Sequence, residues 1–536
     1  MVSATVSRPP LLICSAAGVP LLPDHASFRI DTAPCIPVRT GRRYELLGLR
    51  EVMLRAHEIE DLALAIPPAA SSLLRVLTAI TARVTDLDDP ELNAEEWTDS
   101  RNALLQAQGG FNPERVHSYF DRYVWDLFHP TRPFLQDPAL ALQCEERAGV
   151  NKLVFGRPAG NALAWLSAHS DTEPYPVPCD EALWHLLAQH SYAAAGGCSK
   201  RTVDGACSAK AKAGPLRSTI SFHPLGRTLL ETLLAGLPKF GGDWQDTPDT
   251  CPWEEPAPPA PTRPPAAMTW PGRLLTGRSR HAVLLVPTPD GRAVADAFMT
   301  WGTQHPPLEA TDPYLVYHLN PERPVARRRS PRPADADRAI WRDLDALLLA
   351  GDETATVQRP TAFATLNDLP PDVRAALRVR VHGFDQDGKT INRTWYTALT
   401  PPIWPWTQEH DPAAARRIAE CRAAAETTGK ALATQATKAW QAAITPSNGP
   451  GARKPPKRLT AWTTAVSAAY WPRAETTFWR LLDTPDVPAR PAFAADAVAV
   501  LRQVTAPAIT QHRRAAPAVA SAVATLLKQA HQGQAA

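Results

Sequence analysis

At about Pro405 the sequence changes texture, and no single folding pattern fits both sides of the change. Beyond it the chain is rich in alanine, and its apolar residues recur at helical spacing over 412–444, 459–482, 491–504 and 516–531. The run Thr445-Pro446-Ser447-Asn448-Gly449-Pro450-Gly451 stacks residues that break helices, so it reads as a connector. Four amphipathic helices must bury their apolar stripes against one another, which predicts an antiparallel four-helix bundle over residues 405–536.

Residues 26–404 mix the two periodicities. Ser27-Phe28-Arg29-Ile30-Asp31 alternates, and Arg39-Thr40-Gly41-Arg42-Arg43 reads as a turn between two strands. Helical stripes follow: Leu73, Leu77, Ile80 and Val84 in a helix from about Ala69, then Val116, Phe120, Tyr123 and Leu127 over 113–128. Further helices are predicted over 180–192 and 225–237, and strands over 282–286, 314–318, 377–382 and 394–399. Two stretches, the run from Arg157 to Pro178 and the Gly-, Ser-, Ala- and Lys-rich segment 193–215, read as long loops, which in a compact domain point to function or disorder. The fold class expected is therefore α+β: a mixed α/β domain over 26–404, then the bundle, with 1–25 as an N-terminal extension. A length of 536 residues accommodates this organisation.

Composition narrows the function classes. A net charge of +3 is too small to argue for nucleic acid by itself, so any such surface must be local. The 8 cysteines show no C-x-x-C pair, which suits reduced thiols in a cytoplasmic protein and no structural zinc. No apolar stretch reaches the length needed to span a membrane. The 55 prolines, many in loops such as 256–265, read as coding bias rather than disorder.

A search for catalytic patterns finds no phosphate-binding P-loop, no H-E-x-x-H and no G-x-S-x-G. His185 and His190 stand five residues apart on a helix, on different faces, which suits packing better than metal binding. Asp385 and Asp387 flank a turn, where acids usually serve as turn formers. Basic loops are more suggestive. Lys200, Arg201, Lys210 and Lys212, the run Arg327 to Arg329, and Arg453, Lys454, Lys457 and Arg458 all suit phosphate contacts, or simply solvated loops. Trp165, Trp184, Trp301, Trp404 and Trp471 could stack on bases or anchor cores.

Several segments, in order, resemble the CasA family, the large subunit of the type I-E CRISPR complex Cascade. These are Phe28 to Asp31 followed by Ile36-Pro37-Val38, with Cys35 where the family has Trp, then Leu47 to Val52, then Phe128-His129-Pro130-Thr131-Arg132-Pro133-Phe134-Leu135-Gln136. Asn151-Lys152-Leu153, the Gly160-Asn161 loop and Gly214-Pro215 complete the series.

The resemblance implies a non-enzymatic subunit that reads a protospacer-adjacent motif from the minor groove, wedges the duplex open for guide RNA pairing, and presents a platform to a recruited helicase-nuclease. Its implied partners are the handle-binding subunit, the backbone subunits, the small-subunit dimer, the guide RNA and double-stranded target DNA. No cofactor and no membrane are implied.

Carried over residue by residue, Gly196 and Gly197 match the glycine loop of the minor-groove contact. Arg292, counted back from Trp301, stands where the family has a lysine. Asp385, Gln386, Asp387, Gly388, Lys389 and Thr390 form the wedge hairpin. Gly160, Asn161 and Trp165 form the guide-handle loop, and Lys200, Arg201, Lys210 and Lys212 supply phosphate contacts. The family's wedge carries amides at its tip, and here Gln386 is the single one, between two acids, which shifts weight to Lys389. Relatives with a cysteine zinc site have it where this chain has only Cys179. A nuclease with a cryptic metal site and a scaffold that never touches DNA remain the alternatives.

Overall fold

The computed structural model describes residues 26–107, 109–159, 167–239, 247–324, 328–349, 356–388, 390–444 and 460–531. The chain divides into two units, Met1–Asp337 with Ala355–Pro402, and Arg338–Thr354 with Ile403–Ala536.

The first unit begins with a hairpin, β1 (Ile36–Thr40) and β2 (Arg43–Leu47), turned by Gly41 at φ +61°. β3 (Asp61–Leu62) pairs with the other edge of β1, giving the order β2-β1-β3. The central helix α1 (Pro67–Thr85) starts on a proline, whose missing N–H costs nothing at that position, and it is buried along almost its whole length. β4 (Val177–Pro178) leads into α2 (Cys179–Tyr192), which packs on α1.

β5 (Gly196–Val203) and β6 (Ala206–Ala211) form a second hairpin, and β7 (Ile220–Leu225) leads to α3 (Leu229–Gly236), capped by the Thr228 hydroxyl. β8 (His281–Pro287) and β9 (Ala293–Trp301) make a third hairpin, with β4 on the outer edge of β9. β10 (Tyr317–Leu319), β11 (Arg329–Pro331) and β12 (Val357–Gln358) form a small sheet. Finally β13 (Arg378–Gln386) lies between β14 (Asn392–Leu399) and β7, antiparallel to both. Phe384 on β13 seats this sheet in a core of Ile66, Ala69, Phe155, Ala188, Tyr192 and Leu216. Its ring meets Phe155 edge-on at 5.3 Å.

Within the second unit, α4 (Pro412–Ile444), α5 (Ala461–Asp483), α6 (Ala489–Gln511) and α7 (Ala515–His531) form the expected four-helix bundle. Gly429 brings α4 close to α5, since a Cβ there would stand 2.9 Å from the Trp471 ring. Tyr470 donates to the Ala425 carbonyl at 3.0 Å, and Trp341 stacks at a tilt on Phe478 at 4.8 Å. α6 has the length and composition to cross a membrane, but its apolar face is core of the bundle, with Phe493, Ala497, Val500 and Leu501 buried.

Three expectations need correction. The helix predicted over 113–128 stops at Arg122, because Trp125 and Leu127 are extended and bonded to residues 28 and 30, with the Asp126 carboxylate accepting from the N–H groups of Phe28 and Phe128. The strand predicted at 27–31 is reduced to one bridge, Arg29 with Asp126. The segment 193–215 contains a hairpin rather than one long loop. Asp204 and Gly205 both take positive φ, +48° and +79°, the geometry of a two-residue turn that matches strand twist.

Candidate nucleic-acid interface

The C-terminal end of α2 organises the site. The Tyr192 carbonyl accepts from Arg217 Nη1 at 3.1 Å and from Gln386 Nε2 at 3.2 Å. The next carbonyl, Ala193, accepts from Gly214 N at 2.9 Å. One helix end thus holds the segment that follows β6 and the hairpin β13–β14, and the chain runs from it directly into β5.

Arg217 fixes the loop between β13 and β14. Its guanidinium donates to the carbonyls of Asp387 and Ile391 at 3.1 and 2.9 Å and to Asn392 Oδ1 at 2.7 Å. Burial in this position lowers its pKa to about 10, against the pull of Asp387. Ser218, in the left-handed region at φ +61°, donates its hydroxyl to the carbonyls of Gln386 and Asp387 at 2.5 and 2.9 Å. The Asp387 carboxylate in turn accepts from Thr390 N at 2.5 Å and Ile391 N at 2.7 Å. A loop tied at this many points presents its remaining side chains rigidly. Among the described residues those are Thr390, which is exposed, and Ile391, 57% exposed.

The glycine pair stands beside this tip. Gly196 has φ +132°, and a Cβ added to it would lie 3.6 Å from Thr390 Cγ2. Nothing described lies within 4 Å of a Cβ on Gly197, whose carbonyl accepts from Lys152 Nζ at 2.8 Å. Burial lowers the pKa of that ammonium. Lys210 faces Gly197 across β5–β6, and Lys210 and Lys212 are exposed with no ion-pair partner among the described residues. The result is a backbone edge without Cβ atoms, flanked by lysines, next to the β13–β14 tip.

Other expected residues fall elsewhere. Gln386 is buried and satisfied by Ser218 N, Tyr192 O and Asn392 Oδ1, so its amide anchors the hairpin base and is not at the tip. Asp385 pairs with Arg393 at 2.9 Å and Asp387 caps its own loop, so neither acid projects from the tip. Gly388 is exposed on the loop.

Arg201 is 1% exposed and bonds Asp137 at 2.6 Å, Gln143 and the Trp301 carbonyl; it is a core ion pair and cannot reach a phosphate. Lys200 pairs with Glu145 at 2.6 Å on the surface. Arg292 sits on the β8–β9 turn. It is eight residues from Thr300, the point where β9 meets β5 through Ser199, or roughly 26 Å along the strand at ~3.3 Å per residue, so it does not join the glycine pair. Gly160, Asn161, Trp165 and Lys389 lie outside the described residues, as do Arg327 and the basic residues 453–458.

Of the tryptophans, Trp301 is core and donates to Ser208 O, Trp184 donates to Cys35 O, and Trp471 lies under the Arg342 guanidinium at 3.5 Å. His185 and His190 are packed, each with its pKa lowered to about 4 by burial. Among the described residues no group of three or more His, Cys, Asp and Glu side chains is placed to hold a metal ion.

The model of the CRISPR-associated protein Cse1 family matches residues 32–512. This chain belongs to the Cse1 family. A CasA/Cse1 protein of Thermus thermophilus is 30% identical over 373 residues, covering 67% of this chain and 68% of that protein. Among solved structures, a chain of a CRISPR RNA-guided surveillance complex is 37% identical with a TM-score of 0.82, covering 94% of this chain and all of that one. Cse1 from Acidimicrobium ferrooxidans shares the fold at 22% identity and a TM-score of 0.69, over 95% of this chain and 99% of that one.

Reasoning from sequence missed Lys152, Arg217 and Ile391 as parts of this candidate interface. Only the hairpin behind the glycine pair carried a usable signal, the Asp204-Gly205 dipeptide.

Proposed function

We propose that this chain is the large subunit of a type I-E Cascade complex and reads the duplex beside the protospacer. The observation that carries the reading is the juxtaposition of Gly196 with the β13–β14 tip. A strand edge without Cβ atoms lets backbone approach a narrow groove. Minor-groove proteins combine such an approach with an apolar or polar wedge that unstacks a base step at a cost of a few kcal/mol. Here the glycine edge would enter the groove, Lys152, Lys210, Lys212 and Lys200 would meet phosphates, and the loop 387–391, with Lys389, would part the first base pairs. Arg292, at the far turn, would serve a separate stretch of backbone.

In this reading Gly160, Asn161 and Trp165 contact the guide handle, and the neighbours are the handle-binding subunit, the backbone subunits and the small-subunit dimer. The bundle offers a platform to a helicase-nuclease, the chain performs no chemistry itself, and the complex works in the cytoplasm. Sequence specificity then resides in guide pairing, and the protein reads only a short motif and shape.

The test is target binding by reconstituted Cascade, with and without this chain, on two duplexes that differ only in the trinucleotide beside the protospacer. The chain should be required for discrimination between them. Equal binding to both duplexes in its presence and absence would refute the motif reading. Mg²⁺- or Mn²⁺-dependent cleavage by the purified chain would favour a nuclease instead.

A further inference from the structure

The hairpin β1–β2 lies away from the glycine site and has an open side. β2 is an edge strand in the order β2-β1-β3. The ladder fixes which of its backbone groups are used. The carbonyls of Pro37 and Arg39 accept from Ala63 N and Glu60 N, both at 2.8 Å, on the β3 side. Their partners across β1–β2 are Leu46 and Tyr44, which therefore occupy non-hydrogen-bonded positions of that pair. At such positions the N–H and C=O groups of both strands point away from each other. The amides and carbonyls of Tyr44 and Leu46 accordingly face outward, and no described strand takes them.

The same two residues present side chains to solvent. Tyr44 is 73% exposed and Leu46 46%, and a spacing of two puts them on one face. Beside them, Arg42 and Arg43 are exposed, and neither lies within ion-pair distance of an acid among the described residues. The nearby acids already have partners. Glu45, Glu51 and Glu58 bind Arg55, Glu60 binds Arg39, and Asp61 binds Arg380. An open edge with large apolar side chains is a template for strand addition, and proteins that leave one uncovered normally blunt it with charge, proline or a bulge along its length. Here Arg42 and Arg43 sit at the turn and the mid-strand Glu45 is tied to Arg55, so Tyr44 and Leu46 are left without such a guard.

We infer that β2 accepts an extended segment of a neighbouring protein subunit as a fourth strand of this sheet, with acidic residues where that segment passes Arg42 and Arg43. Four outward backbone groups give the segment its register, Tyr44 and Leu46 cover its side chains on one face, and the two guanidiniums select an acidic end. Alternating donors and acceptors at strand spacing suit a peptide backbone, not a nucleic acid.

The inference relies on the subunit reading for its probe, which is the remaining protein subunits of the chain's own complex assembled on guide RNA. Site-resolved amide exchange on the full chain, alone and in that complex, tests it. In the isolated chain the amides of Arg43, Glu45 and Leu47 should be slow and those of Tyr44 and Leu46 fast. In the complex Tyr44 and Leu46 should slow by about tenfold or more. Leu46→Pro removes an outward N–H and no ladder bond, so it should leave the melting temperature unchanged and weaken incorporation by about tenfold. Tyr44→Glu should weaken it without touching the backbone.

A chain that joins the complex with Tyr44 and Leu46 still fast overturns this inference and leaves the subunit reading standing. A chain that does not join overturns both. Slow Tyr44 and Leu46 amides in the isolated chain mean the edge is covered by this chain itself, or by a second copy if the slowing depends on concentration. Slowing by guide RNA alone means the occupant is nucleic acid. Each of those results is equally fatal to the proposal.

Discussion

Arg217 does at the scale of one residue what loops usually need several residues to do. Its donors reach Tyr192 O, Asp387 O, Ile391 O and Asn392 Oδ1, so removing it takes a charged donor from four acceptors at once, on α2, on the hairpin loop and on β14. Arg217→Met should cost about 2–4 kcal/mol in denaturant unfolding, since several hydrogen bonds from one charged group are lost together. Ile391 is the contrasting case. Its side chain is exposed, so Ile391→Ser should change stability by no more than ~0.5 kcal/mol. If the loop is a wedge, the same change should slow opening of the first protospacer base pairs, read by 2-aminopurine fluorescence, and a pre-melted bubble at those positions should rescue it. Gly196→Ala tests the backbone itself. A φ of +132° is a glycine conformation, so the change should cost about 1–3 kcal/mol and should impair motif discrimination more than affinity for an already melted target.

At the scale of elements, the legible parts were those with long periodicity. The stripe of Leu73, Leu77, Ile80 and Val84 marked α1, and the alanine-rich stretches marked all four bundle helices. The third was expected to end at Val504 and runs to Gln511, because Pro507 breaks the pattern in sequence without ending the helix. Pro472 sits likewise inside α5. Its ring removes an N–H and crowds the carbonyl four residues earlier, so Pro472→Ala should stabilise the bundle by about 1–3 kcal/mol in thermal melts.

The site was less legible than the fold, for a physical reason. Tyr123 and Leu127 fit a helical stripe, yet the Asp126 carboxylate and residues 28–30 draw Trp125 and Leu127 into extended pairing, a long-range effect that no local pattern encodes. Gln386 looked like a tip amide because its neighbours in sequence form a turn. Only the positions of Ser218 and Tyr192, distant in sequence, show that it faces inward. Arg201 looked like loop charge until β9 and Asp137 closed around it.

Across the whole molecule, histidine burial sets the response to acid. His185, His190 and His281 have their pKa lowered to about 4, and His382 to about 3, in each case chiefly by burial. The fold holds them neutral, whereas an unfolded chain would protonate them near pH 6.5. Their contribution is therefore fully present above about pH 6.5 and is lost as pH falls towards 4 and then 3. Melting temperature should be flat from pH 8 to 7 and fall steeply below pH 6, in scanning calorimetry of the full chain.

The shared end of α2 also has an evolutionary consequence. Because the Tyr192 carbonyl holds the hairpin and the chain passes from Tyr192 to the glycine strand within four residues, a change that shifts one shifts the other. If the chain reads a motif and opens the duplex as proposed, lineages adapting to viruses with altered motifs could not retune the two separately by moving backbone; they would be confined to trading side chains at positions such as 390, 391, 210 and 212. Sequence drift among close relatives should then be concentrated at those exposed positions, with the anchoring Arg217, Ser218 and Gln386 kept together or lost together.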